Sequence, residues 1–179
     1  NVCVGKNTGY KITTGSSNTF IGNNCGDGID VESENVAIGG GALANSGAAV
    51  TGAVFIGYGA NSGAITTGAN YTVGIGHTAL AALTSGGGNT AVGYAAGDSI
   101  TTSSNNTLVG QGAGGALVDG DGQNVVVGRA AGDSSTNMAK CVYIGHDTGG
   151  QMDAGSFNTA VGFASMEGAS TGNSASYNT

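Results

Sequence analysis

The sequence predicts an all-β fold, a parallel β-solenoid or β-roll of about ten 17-residue coils. The first observation behind it is a short apolar string ending in Gly that recurs along the chain. It reads NVCVG (Gly5), NTFIG (Gly22), NVAIG (Gly39), AVFIG (Gly57), TVGIG (Gly76), NTAVG (Gly93), NTLVG (Gly110), NVVVG (Gly128), CVYIG (Gly145) and NTAVG (Gly162). The second is the register, with steps between these glycines of 17, 17, 18, 19, 17, 17, 18, 17 and 17. The third is composition: 37 Gly, no Pro, 39% hydrophobic and only 8% charged residues. Disordered chains are polar and highly charged, and collagen needs Gly at every third position with abundant Pro. Glycine here serves frequent turns and close backbone approach. The regular register makes residues 1–179 a single repeat array with no linker.

Each position in the unit has a physical task. The residue before Gly is always Val or Ile: Val4, Ile21, Ile38, Ile56, Ile75, Val92, Val109, Val127, Ile144, Val161. Three before Gly stands Val or Thr, on the same face, because side chains alternate along a strand and branching at Cβ favours strands. These ten Val and Ile residues are assigned to the solenoid core. Two before Gly, on the opposite face, the residue is apolar or Gly, with Phe20, Phe55, Leu108, Val126 and Tyr143 the bulkiest. A strand apolar on both faces is covered on both, so this second face is assigned to contact with other chains.

After Gly come small residues, with Ala, Thr, Ser or Cys three positions on (Ala42, Ala60, Ala96, Ala113, Ala131, Thr148). Seven positions after Gly, Ile12, Ile29, Leu83, Ile100, Leu117 and Met152 are expected to point inward from a second short strand. Stretches such as Thr14-Gly15-Ser16-Ser17 are turns, and Ser103 and Ser135 read as connector positions tolerant of charge. Asn stands four before Gly in seven units (Asn1, Asn18, Asn35, Asn89, Asn106, Asn124, Asn158). Stacked once per coil, it either forms a hydrogen-bonded ladder or suits the turn. Coils this small lean on their neighbours. Ten of them, at ~4.8 Å per rung, make a rod nearly 50 Å long.

The NTAVG-YAAG and NVAIG-GGAL units resemble the head repeats of trimeric autotransporter adhesins, a left-handed parallel β-roll of three chains around one axis, and related phage tail-fibre repeats. The repeat is longer than the adhesin's. The resemblance implies a homotrimer that uses the residue two before Gly as its interface (Phe20, Phe55, Leu108, Val126, Tyr143). It carries no catalytic residue and no cofactor. It implies an extracellular place, on a virion or a bacterial cell surface, with an unidentified cell-surface or glycan receptor. The chain then reads as an excerpt of a longer fibre protein, a non-enzymatic spacer and attachment segment.

Other chemistries are thinly represented. The net charge of −7, with four Lys and Arg, argues against nucleic acid, whose phosphates need a basic footprint, and against an anionic membrane surface. No apolar run reaches membrane-spanning length. His77 and His146 follow repeat glycines and would each appear three times at one level of a trimer, a conceivable metal site. Asp119-Gly120-Asp121-Gly122 starts like a calcium loop, but the twelfth position is Ala130 where Glu is needed. Asp27, Asp30, Glu32 and Glu34 read as a solvated connector. Cys3, Cys25 and Cys141 read as small apolar residues rather than disulfide partners. No nucleophile elbow or carboxylate pair suggests catalysis. Ile12-Thr13-Thr14, Ile65-Thr66-Thr67 and Ile100-Thr101-Thr102 raise an ice-binding face, but they fall in the first, fourth and sixth coils. Six Tyr and four Phe make a poor sugar-binding groove. The alternatives are a filament of protomers stacked end to end through open sheet edges, and a carbohydrate- or ice-binding solenoid.

Overall fold

The computed structural model describes residues 1–166 apart from 46, 48, 49, 67, 119–121 and 151–153. Ten three-residue strands form one parallel sheet: β1 (Val2–Val4), β2 (Thr19–Ile21), β3 (Val36–Ile38), β4 (Val54–Ile56), β5 (Val73–Ile75), β6 (Thr90–Val92), β7 (Thr107–Val109), β8 (Val125–Val127), β10 (Val142–Ile144) and β12 (Thr159–Val161). Each pairs in register with the equivalent strand of the next coil, Cys3 beside Phe20 and Phe20 beside Ala37. About nine turns therefore separate the first rung from the last, and no helix occurs among the described residues. A second, two-stranded parallel sheet joins β9 (Asn137–Ala139) and β11 (Ala154–Ser156) on another wall.

The glycine that ends each strand is required twice over. Its φ lies between +125° and +147° in all ten coils, a region L-residues avoid. A Cβ on Gly22 would stand 2.4 Å from the Gly39 carbonyl oxygen, and one on Gly76 2.1 Å from that of Gly93. Beyond it the chain turns through left-handed residues, two and four positions after the Gly. Asn24 (φ 51°), Ala95 (52°) and Ala130 (51°) occupy the first of these sites, Leu43 (52°) and Leu80 (54°) the second. There the backbone still bonds to its neighbours: Ala95 N–H donates to His77 O at 3.0 Å, and Leu80 N–H to Ala96 O at 3.0 Å.

The structure reverses the two faces of the strand. The residue two before Gly points into the coil: Phe20, Phe55, Leu108, Val126 and Tyr143 are wholly buried and form the core, not a surface for other chains. The residues assigned to the core, Val4, Ile21, Ile38, Ile56, Ile75, Val92, Val109, Val127, Ile144 and Val161, point outward and are half-buried to exposed, Val161 at 65%. The physical reason lies in residue size. A coil this narrow holds only one or two large side chains per layer, so its inner column must vary to fit, whereas a uniform column of branched residues would overfill it.

That fit is visible in four of the coils. Where the strand supplies Phe20 or Tyr143, the site six residues later is Gly26 or Gly149, and a Cβ there would lie 2.6 Å from the ring. Where the strand supplies Ala37 or Gly74, the same site is Leu43 or Leu80, both buried. The small residues three after Gly, from Cys25 and Ala42 to Ala131 and Thr148, are buried between these layers. Ile29, Leu83, Ile100 and Leu117 point inward as expected, with Ile12 half-buried, but from irregular backbone just beyond a turn rather than a second strand; Met152 lies outside the described residues.

Candidate functional site

The buried Asn residues form a ladder. Asn18 Oδ1 accepts from Asn35 N–H at 3.0 Å, Asn89 Oδ1 from Asn106 N–H and Nδ2 at 2.9 Å, and Asn106 Oδ1 from Asn124 Nδ2 at 2.9 Å. Their amides also close the coil, as Asn18 Nδ2 does by donating to Glu32 O at 2.8 Å. Ala53, Thr72 and Cys141 interrupt the ladder in the fourth, fifth and ninth coils. Ser103 and Ser135 are buried, contrary to a connector role: Ser103 Oγ accepts from Asn106 Nδ2 at 3.0 Å and Ser135 Oγ donates to Gly149 O at 2.9 Å. Their hydroxyls are needed to satisfy interior polar groups. Glu32 is also buried rather than solvated, its Oε2 accepting the backbone N–H of Asp30 and Val31 at 2.8 and 3.0 Å.

With the core inside, the outer face of the large sheet is two parallel columns. One is Val2, Thr19, Val36, Val54, Val73, Thr90, Thr107, Val125, Val142, Thr159; the other is the Val/Ile series from Val4 to Val161. Every outward position of all ten strands is Val, Ile or Thr. In-register pairing puts each residue beside its equivalent, so the strip is about 10 Å wide and nearly 50 Å long.

Beside this strip runs the column following the repeat Gly. Tyr58, His77 and Tyr94 stack on consecutive coils with centroids 5.4 Å apart. His146 stacks on Phe163 at 5.4 Å, receives Arg129 Nη1 at 2.7 Å through Nε2, and has Nδ1 2.9 Å from Asp147 Oδ2. His77 and His146 are thus partners in side-chain stacks four coils apart, and no group of three metal-ligating residues forms among the described residues. Asp119 and Asp121 lie outside the described residues.

The Thr triplets behave differently from their sequence positions. Thr84, which belongs to none of them, stands between Thr66 and Thr101, so three consecutive coils carry Thr. Their hydroxyls turn onto backbone carbonyls, Thr84 Oγ1 to Thr101 O at 2.9 Å. Cys25 and Cys141 are buried free thiols and Cys3 is exposed; burial pushes the Cys25 thiol up to about 11.

One cleft opens where the ring column is interrupted. It encloses about 380 Å³ and is lined by Asn24, Asp27, Gly40, Asn45, Tyr58, Ser62 and Thr78, among others. No residue type in the sequence singles it out, because its decisive element is the missing side chain of Gly40 between the second and fourth coils.

Fold and surface together define a parallel β-solenoid with an aliphatic sheet face and a flanking ring column. No protein-family model, curated protein or solved structure matches the chain.

Proposed function

We propose that this chain is a non-enzymatic segment of a trimeric extracellular fibre, a spacer and attachment surface whose copies meet through the outward Val, Ile and Thr strip. One observation carries this reading: twenty outward positions, two on each of ten strands, include no charged, amide or aromatic side chain. A surface strand facing water alternates with polar residues, and soluble monomers avoid long continuous apolar patches. Uniformity along the column also fits a partner with the same repeat, since each rung then meets an identical environment. A second copy of this chain has that repeat by construction of its sequence, and the resemblance to trimeric heads sets the number at three.

Sedimentation tests it. The wild type is expected to run as a trimer, and Val109→Asp with Val127→Asp to run as a folded monomer with an unchanged β-rich circular dichroism spectrum. Asp at these sites meets solvent in the isolated coil, but sits uncompensated in a closed interface. A monodisperse wild-type monomer overturns the proposal. Open-ended, concentration-dependent growth would instead favour protomers stacked end to end.

A further inference from the structure

The column after the repeat Gly is a stack of side chains, and at one rung it is empty. Tyr58 has His77 against one ring face at 5.4 Å. Its other face looks over Gly40, where an added Cβ would come 3.3 Å from Tyr58 Cδ2. Next to it, a Cβ on Gly41 would touch nothing within 4 Å. The vacant rung is the floor of the cleft, and Tyr58, which is 67% exposed, is its aromatic wall.

Around that wall stand polar groups with unused hydrogen-bonding capacity. Asn24 accepts from Asn7 Nδ2 through Oδ1 at 3.0 Å, which leaves its own NH₂ group without a partner among the described residues. Asn45 donates to Ser62 O at 2.7 Å, leaving its carbonyl oxygen. Ser62 Oγ makes no hydrogen bond among the described residues, and Asp27 Oδ1 is likewise without one. Burial raises the Asp27 carboxyl pKa, with Lys11 opposing.

We propose that this cleft is a subsite for a neutral pyranose of a surface glycan, with Tyr58 as the stacking platform in the place of the missing rung. A pyranose presents a face of C–H groups, which carry partial positive charge and pack on the negative π-face of an aromatic ring. Its edge presents hydroxyls that both donate and accept, matching the Asn24 amide, the Asn45 carbonyl and Ser62. The cleft volume falls within the roughly 300–1,000 Å³ usual for ligand sites. The lining has a carboxylate and no cation, and the chain carries −7 overall. Acidic sugars and nucleotides are therefore repelled. The proposal gives chemical content to the attachment role above and rests on it for the source of the sugar, but not on trimer formation.

Saturation-transfer NMR on the 179-residue chain tests it, with the methyl glycosides of glucose, galactose, mannose and N-acetylglucosamine as probes and that of sialic acid as the charged control. At least one neutral glycoside is expected to receive saturation on the protons of one ring face, and the sialoside none. Gly40→Tyr fills the rung with a residue the column already accepts at Tyr58 and Tyr94, and Tyr58→Ala removes the platform. Each is expected to lower the signal at least tenfold, while Tyr94→Ala, outside the cleft, leaves it within twofold. An unchanged melting curve for Gly40→Tyr shows that the coil is intact. No transfer to any neutral glycoside, equal transfer to the sialoside, or full signal in Gly40→Tyr overturns the proposal. Sedimentation of the same samples reads association separately, so a monomer that binds sugar refutes the trimer alone, and a trimer that binds none refutes the subsite alone.

Discussion

Ala95 and Ala130 hold a left-handed backbone that alanine does not favour, at φ of 52° and 51°. Equivalent sites in other coils are Gly41, Gly59 and Gly112, at 66°, 62° and 66°, so the geometry belongs to the coil and not to the residue. An L-residue loses ~1–2 kcal/mol there, and the extra unfolded-state freedom of glycine returns roughly half of that. Ala95→Gly and Ala130→Gly are each expected to stabilise the chain by about 0.5–1 kcal/mol and to add when combined, being far apart. Urea unfolding midpoints measure this, and a lower midpoint for either variant would contradict the assigned turn. The strand-ending glycines were legible in the sequence because their requirement, backbone against backbone, is the same in every coil. The left-handed Ala and Leu sites were not, since those residue types carry no signal for that conformation.

At the level of the element, a strand and the turn that follows it share one packing volume. Phe20 is paired with Gly26, and Ala37 with Leu43, in adjacent coils. Phe20→Ala should therefore cost ~3–5 kcal/mol through the cavity it leaves. Adding Gly26→Leu should restore at least half, because Leu43 and Leu80 already adopt the left-handed φ that Gly26 has at 59°. A double variant no more stable than Phe20→Ala would show that the exchange of bulk does not govern the layer. The same pairing explains why the inside and outside of the strand were misread from sequence. Alternation identifies a buried face by contrast with a polar one, and here both faces are apolar. The usable signal was variance: the column that swings between Gly and Phe is the one fitted to neighbours, and the uniform Val/Ile column is the one outside.

Over the whole molecule, the coils act as one lattice of bonds. Lys6, Lys11, Arg129 and Lys140 are exposed, yet Arg129 O accepts from Asp147 N–H at 3.0 Å and Lys140 N–H donates to Gly122 O at 2.9 Å. Proteolysis needs several residues to leave such ladders together. Trypsin under native conditions is expected to spare Arg129 and Lys140 and to reach Lys6 and Lys11 of the first coil first. Rapid cleavage after Arg129 would show that its coil opens independently. Coil number and register were legible at this scale because a fixed step repeats in the sequence itself. The cleft was not, because it is made by four coils lying side by side around a side chain that one of them lacks.

The backbone bonds between coils, such as Gly22 N–H to Val4 O and Gly39 N–H to Ile21 O, both 2.8 Å, run along the rod and not across it. Tension applied to the two ends therefore loads the coils in series. The weakest one peels first and releases 17 residues of slack, roughly 60 Å of extended chain, while the others keep their grip. Such a rod yields in steps instead of snapping, and rewinds against the coil that stayed behind as its template.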